Sequence, residues 1–283
     1  MIGTNKKGSE RMKAGKLLFF IFLLSACENK KITEINLDAY FKNINGTAVF
    51  YNPAQNEYKI HNPALGQKRS SPCSTFKIMS SYIALSERII TAENTLFRWN
   101  QTIYEYPVWN KNMNLAEAFQ TSCVWCFRSL INQIAPEKTT IYLQKYKYGN
   151  MDISDWNGVL NTNTDQADLK GFWIESSLKI SPQEQTEVLA RIMSEPTPAV
   201  QELKKIMQLR GMPVKIYGKT GLGVKNDMVA DAWFVGFFEK NQQQIFFAVR
   251  LEDPQNIIDD YRHQASRYAK EIAVDIIQNA EIF

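Results

Sequence analysis

The run Ser71-Pro72-Cys73-Ser74-Thr75-Phe76-Lys77-Ile78-Met79 sets a serine three residues ahead of a lysine. On a helix that spacing puts the two side chains on one face, within reach of each other. A serine hydroxyl attacks a carbonyl only when a base takes its proton, and a lysine in apolar surroundings sheds its charge and can be that base. The chemistry on offer is acyl transfer through a serine ester. The chain has two histidines, His61 and His263, far apart. They leave little room for a His-dependent zinc site or a Ser-His-Asp triad, so another base is expected.

A lone Ser-x-x-Lys is weak, and the chain carries a second, Ser176-Ser177-Leu178-Lys179. That one precedes Ser181, a plausible helix N-cap, so its Ser and Lys fall outside a helix and need not face each other. The first pair has company: Ser122-Cys123-Val124, and Lys219-Thr220-Gly221 on a strand beginning near Val214. Such a strand beside the Ser-x-x-Lys helix supplies a cation and a hydroxyl for a substrate carboxylate, and a glycine where a ligand must approach the backbone. This is the plan of the penicillin-recognising serine enzymes.

From about Gly46 to the C-terminus the chain resembles the class D β-lactamases, the oxacillinases. Pro72-x-Ser74-Thr75-Phe76-Lys77-Ile78 is similar to their nucleophile segment, Ser122-x-Val124 to their second motif, Tyr148-Gly149-Asn150 to their third and Lys219-Thr220-Gly221 to their fourth. Phe172-Trp173-Ile174-Glu175 resembles the segment carrying their active-site tryptophan, and Ala232-Trp233-Phe234-Val235-Gly236 their following strand.

The resemblance implies that Ser74 attacks the β-lactam carbonyl and that Lys77, N-carboxylated by carbon dioxide, is the general base. No metal or organic cofactor is implied. Val124 stands where related enzymes carry Asn and keeps the lysine pocket apolar, while Trp173 donates its indole N–H to the carbamate. Ser122 relays a proton to the leaving nitrogen, with Lys219 supplying positive potential. The backbone N–H groups of Ser74 and Leu222 form the oxyanion hole. Thr220, Gly221 and Tyr148 join the substrate site, and an arginine after the last strand takes the substrate carboxylate. Arg262 fits best by spacing, with Arg267 and Arg250 the alternatives. Two features depart from the family. The stretch between Asn150 and Trp173 is long, so Met151–Lys170 is expected as an extended loop at the edge of the site, and Ser176 stands where glycine is expected.

The elements that must hold these residues are legible as patterns. Gly46–Tyr51 and Glu57–His61 alternate as a β-hairpin, and Val214–Gly218, Asp231–Phe238 and Gln244–Leu251 read as three strands, the last two joined by a turn over Glu239–Gln243. Ser74–Glu87, Leu115–Ile134 and Ser181–Met193 read as helices. The second stops before Pro136, and the third carries Ser181 as N-cap with Glu184 completing a capping box. Tyr261–Ile277 is an amphipathic helix. The fold class expected is the α/β (α+β) penicillin-recognising fold: an antiparallel sheet made by the two ends of the chain and flanked by helices, with a helical subdomain at about residues 80–190.

With 45% hydrophobic residues, the chain has the composition of an ordinary globular protein that can bury a real core. It has 33 basic and 29 acidic residues. Five of the former and one of the latter lie in residues 1–26, so residues 27–283 balance at 28 of each, and no nucleic-acid partner is expected. The basic start and the apolar run Leu17–Leu24 have the layout of a signal peptide, starting at Met1 or Met12. Leu24-Ser25-Ala26-Cys27 resembles the bacterial lipobox, which implies an exported, periplasmic protein lipidated at Cys27 and held to a membrane. Cys123 and Cys126 form a C-x-x-C in an apolar helical stretch, where buried packing thiols are expected over a redox pair, with thiols or a disulfide left open. Trp99, Trp109 and Trp156 could line a cleft but are expected in packing. Two other readings stay open: a penicillin-sensing receptor domain that is acylated without turnover, and a cell-wall transpeptidase. Oligomeric state and the range of β-lactams accepted are not legible.

Overall fold

Alternation along the strands decides which layer each side chain joins. In β5 (Met228–Lys240), Trp233, Val235 and Phe237 face one side of the sheet and Ala232, Phe234 and Phe238 the other. In β6 (Gln243–Glu252), Phe246 and Ala248 oppose Ile245, Phe247 and Val249, the period of two that a pleated strand imposes. Both faces are apolar, so both must be covered. The structure is a computed structural model that describes residues 1–3, 30–91, 95–254 and 261–283, with side chains from residue 264 onward in the last stretch. The expected signal peptide, Cys27 and the side chain of Arg262 lie outside the described residues.

The sheet has six strands in the order β1-β3-β2-β6-β5-β4. β2 (Gly46–Asn52) and β3 (Glu57–His61) form the expected hairpin, and β4 (Ile216–Lys225), β5 and β6 form a meander. β2 pairs with β6, so the two ends of the chain meet in one sheet. The strands are antiparallel except β1 (Lys31–Glu34), which runs parallel to β3 at the edge. This corrects the purely antiparallel expectation: four residues, largely exposed, leave no hydrophobic pattern to read. The β5–β6 turn is tighter than expected. Asn241 and Gln242 both take positive φ (50° and 62°), as do Asn226 and Asp227 between β4 and β5, the geometry whose twist suits a two-residue hairpin.

One face of the sheet is covered by α1 (Asp38–Phe41) and α8 (Tyr261–Asn279). Ala265, Ala269 and Ala273 of α8, four apart and fully buried, face the sheet together with Ile272 and Ile276. Against the opposite face and beyond it stand α2 (Pro63–Gln67), α3 (Lys77–Ser86), α4 (Leu115–Gln120), α5 (Val124–Tyr146), α6 (Pro182–Met193) and α7 (Pro198–Met207). Helix α6 starts as expected, with Ser181 and Glu184 in a capping box and Pro182 at the first position.

The helix expected over Leu115–Ile134 is instead two. It breaks at Thr121-Ser122-Cys123, where Ser122 has φ 60° and Cys123 becomes the N-cap of α5. The apolar period runs through the break, which is why the pattern hid it. At Pro136 helical geometry is lost at Ala135 (φ 69°, ψ 160°), the residue that a following proline excludes from the helix, and then resumes to Tyr146.

Candidate active site

The nucleophile sits in a braced turn. Residues Cys73–Phe76 form a single 3₁₀ turn leading into α3, and Cys73, just before Ser74, has φ 48°. The brace is the segment after Phe172. The carbonyl of Trp173 accepts from Cys73 N at 2.9 Å and from Ser71 Oγ at 3.1 Å, and Ser71 Oγ accepts from Glu175 N at 2.8 Å. From below, Gln185 donates to Thr75 Oγ1 at 2.8 Å, and Thr75 donates to Pro72 O at 2.7 Å. From the side comes β4. A Cβ at Gly221 would lie 3.0 Å from Thr75 Cγ2 and 3.1 Å from Pro72 O, so only glycine lets the strand approach this closely.

Lys77 Nζ and Ser74 Oγ are 2.8 Å apart. Lys77 is buried at 1% exposure, with no carboxylate in ion-pair contact among the described residues, and its nitrogen lies 5.3 Å from the centre of the Phe127 ring. Burial first, then the charge of Lys219, holds its pKa well below the ordinary lysine value. A neutral amine at that distance can receive the serine proton. Trp173, 1% exposed, stacks on Phe76, and its indole Nε1 is buried without a partner among the described residues. A buried donor left unmatched costs about 1–3 kcal/mol.

Ser122 and Lys219 form the second half of the site. Lys219 Nζ donates to Ser122 Oγ at 3.0 Å and to Thr220 O at 3.1 Å. Burial, followed by repulsion from Lys270, brings its pKa down to about 7. A cavity of about 400 Å³ joins the halves. Ser74, Ser122, Val124, Thr220, Gly221 and Leu222 all line it, so the two proposed oxyanion-hole residues border one space.

Tyr148 stands apart from Ser74 and Ser122. It is 2% exposed and packs edge-on against Phe76, behind the nucleophile and away from the cavity wall. Its place is the support of Phe76, not the substrate. The alternatives to Arg262 for a substrate carboxylate are also relocated. Arg250 is buried with Nε 2.5 Å from Asp231 and its guanidinium 5.2 Å from the Trp233 ring centre, and Arg267 binds Glu271 on the exposed side of α8. Arg262 stands one helical turn before Ser266, which does line the cavity.

Some wall residues had no signal in the sequence. Glu175 lines the cavity, accepts from Cys73 Sγ at 3.3 Å, and has its carboxyl pKa raised by burial. Only its adjacency to Trp173 pointed to it. The stretch 151–170 does reach the edge of the site. Asn161 and Asn163 line the cavity, and Asn163 donates to Val224 O of β4 at 2.5 Å. Ser176, where glycine was expected, ties that loop down by donating to Asp155, which also accepts from the N–H groups of Val159 and Leu160. Trp109 also joins the wall.

The open choice at the C-x-x-C falls to the disulfide rather than the favoured thiols: Cys123 and Cys126 are bonded, their Cα atoms 5.5 Å apart. Cys123 lies at the helix junction rather than inside a helix, and this brings the two side chains together. Cys73 is a free, buried thiol with its pKa pushed up by burial, so it packs rather than reacts. No group of residues suited to hold a metal ion occurs among the described residues.

Residues 46–278 match the penicillin binding protein transpeptidase domain family. The chain is 33% identical over 205 residues to β-lactamase OXA-1 of Escherichia coli, covering 70% of this chain and 72% of OXA-1. It is 31% identical over 218 residues to the regulatory protein BlaR1 of Staphylococcus aureus, covering 75% of this chain and spanning only 35% of BlaR1. Among solved structures, a class D β-lactamase from Sebaldella termitidis superposes with a TM-score of 0.75 at 27% identity, covering 90% of this chain and 99% of the other. The C-terminal domain of the Bacillus licheniformis BlaR penicillin-receptor gives 0.75 at 26%, covering 90% and 98%. The chain belongs to the penicillin-binding-protein transpeptidase family, within the group that holds the class D serine β-lactamases and the BlaR-type receptors.

Proposed function

We propose that this protein hydrolyses β-lactam antibiotics through an acyl-enzyme on Ser74. The observation that carries the reading is the buried Lys77 amine 2.8 Å from Ser74 Oγ beside an indole N–H with no partner among the described residues. Lys77 draws the Ser74 proton as Oγ attacks the lactam carbonyl, and the N–H groups of Ser74 and Leu222 receive the developing oxyanion. Ser122 passes a proton to the departing nitrogen, and Lys219 and Thr220 hold the carboxylate that β-lactams carry. The site also fits carbon dioxide on Lys77: the amine is kept uncharged by burial, Val124 keeps the wall apolar, and Trp173 Nε1 is a free donor. When bound there, carbon dioxide supplies the oxygen base that activates water for deacylation. No metal or organic cofactor enters this scheme.

The second reading is a receptor that is acylated and stays so, favoured by the 31% identity to BlaR1. Turnover of a chromogenic cephalosporin, measured with and without bicarbonate, separates the two. Many turnovers, faster with bicarbonate, are expected. One equivalent of acylation with no further product would reject the hydrolase in favour of the receptor. We further infer from the basic and apolar leader that the protein is exported and lipidated at Cys27, which radiolabelled palmitate incorporated by the parent and not by Cys27→Ser would support.

A further inference from the structure

The bend Thr121-Ser122-Cys123 carries Thr121 and Ser122 and, just beyond it, Val124, all of which line the cavity. It is an unfavourable piece of backbone: Ser122, with φ 60°, occupies the left-handed region that residues with a side chain avoid. Hydrogen bonds to its backbone hold it. Ser122 N donates to Phe119 O at 3.2 Å, Cys123 N donates to Ala118 O at 2.9 Å, and Thr121 O accepts from the Trp109 indole at 3.0 Å. A further tie is covalent. Cys123, non-helical at φ −55° and ψ 113°, is bonded to Cys126 in the first turn of α5. The bond therefore spans the junction. One end lies on the residue adjoining Ser122 and the other on the helix, so it fixes the angle at which the chain leaves Ser122.

We propose that the Cys123–Cys126 disulfide is a positioning element of the acylation machinery. It holds Ser122 Oγ against Lys219 Nζ and Val124 in the cavity wall, so the oxidised chain is the competent form and the dithiol is not. This rests on the hydrolase reading above. Forming the bond removes two protons and two electrons from the two thiols, taken up by a disulfide-carrying oxidant that becomes a dithiol. Exported proteins meet such oxidants and cytosolic proteins do not, so activity would be gained only after export. Both sulfurs are in fully buried residues, so bulk thiols reach them only when this junction opens.

The test is a double-mutant cycle between the disulfide and Ser122. Acylation by a fluorescent penicillin is timed for the parent, for Cys123→Ala with Cys126→Ala, for Ser122→Ala, and for all three changes together. Losing the disulfide should slow acylation by about tenfold or more when Ser122 is present and by less than about twofold when it is Ala. Melting temperature should fall equally in both backgrounds. An equal rate loss in both backgrounds, or none in either, overturns the inference. Should the chain without Cys123 and Cys126 not fold, peptide mapping of the exported parent, alkylated under denaturing conditions without reductant, decides the matter. Alkylated Cys123 and Cys126 in an active preparation overturn the inference, and a disulfide-linked peptide in active protein, with activity lost on reduction, supports it. A parent that is never acylated defeats the functional reading instead, a result distinct from every outcome of the cycle.

Discussion

Lys219 Nζ donates to Ser122 Oγ at 3.0 Å, joining β4 of the sheet to the bend between α4 and α5. Neither end positions the other through sequence proximity; the fold brings them together at the cavity that Ser74 and Ser122 line. Removal of a proton-transfer group in this position costs acylation about 10²–10⁴-fold. Ser122→Ala should lower kcat/KM within that range without lowering the melting temperature by more than a degree or two. A burst experiment would separate acylation from deacylation, and an unchanged burst rate would remove Ser122 from the proton path.

Lys219 also sets a pH dependence of stability. Its pKa in the folded chain is about 7, against an ordinary lysine value near 10.4 when unfolded. Between these values the unfolded chain binds the proton that the folded chain has lost, so stability rises with pH across the window. Below 7 both states are charged and the penalty of burying the ammonium is complete. Lys219→Met should therefore raise the melting temperature at pH 6 by several degrees, on the order of a few kcal/mol of relief, with the gain fading toward pH 10. Equal effects at pH 6 and pH 10 would place the stabilisation elsewhere.

The unmatched indole of Trp173 makes a separate prediction about the proposed carbamate. Trp173→Phe keeps an aromatic ring against Phe76 but removes the donor. Its deacylation should slow and its bicarbonate requirement rise by about tenfold or more, since one buried hydrogen bond to a charged group contributes about 1.5–3 kcal/mol. Carbon-13 bicarbonate gives the direct readout. A full carbamate signal in Trp173→Phe at low bicarbonate would sink the role given to the indole.

The residues of the site were legible where a motif names a local spacing. Ser74 and Lys77 are three apart on one turn, and Lys219, Thr220 and Gly221 lie on a strand whose alternation is plain in the sequence. What stayed hidden depends on contacts far apart in the chain. The break after Gln120 lies inside an unbroken apolar pattern, and only packing of the Trp109 indole on Thr121 O and the Cys123–Cys126 bond reveals it. Tyr148 was read as a substrate residue because its motif carries no direction, and the structure turns it inward onto Phe76. Arg250 enters as an alternative to Arg262 only through the family resemblance, which does not say which arginine is buried. Pairing with Asp231 is what lets it lie buried in the sheet.

That buried pair predicts a stability effect rather than a binding one. Arg250 is also held by Glu252 and by Lys68 O, and Asp231 accepts from Ser70. Arg250→Ala leaves a buried carboxylate without its partner and should destabilise the chain by about 3–5 kcal/mol. KM for β-lactams should stay near the parent value in whatever fraction remains folded. If the substrate carboxylate is bound by Arg262, Arg262→Ala shows the opposite pattern, a raised KM at unchanged melting temperature. A raised KM for Arg250→Ala in fully folded protein would return Arg250 to the substrate site.

Gly221 tests how closely the sheet must approach the nucleophile. A methyl group there would stand 3.0 Å from Thr75 Cγ2 and 3.1 Å from Pro72 O, closer than carbon atoms normally pack, so β4 or the Cys73–Phe76 turn must move by a few tenths of an ångström. Leu222, whose N–H is assigned to the oxyanion, is the next residue on that strand, so the shift would be carried to the developing charge. Misplacement on the scale of 1 Å costs catalysis about 10²-fold, and a smaller shift costs proportionately less. Gly221→Ala is expected to lose on the order of 10-fold in kcat, and Gly221→Val on the order of 10²-fold, with smaller changes in melting temperature. The ordering matters more than either value. If Ala and Val lose activity equally, polarity or backbone freedom at this position, not the separation of β4 from Ser74, is what catalysis requires.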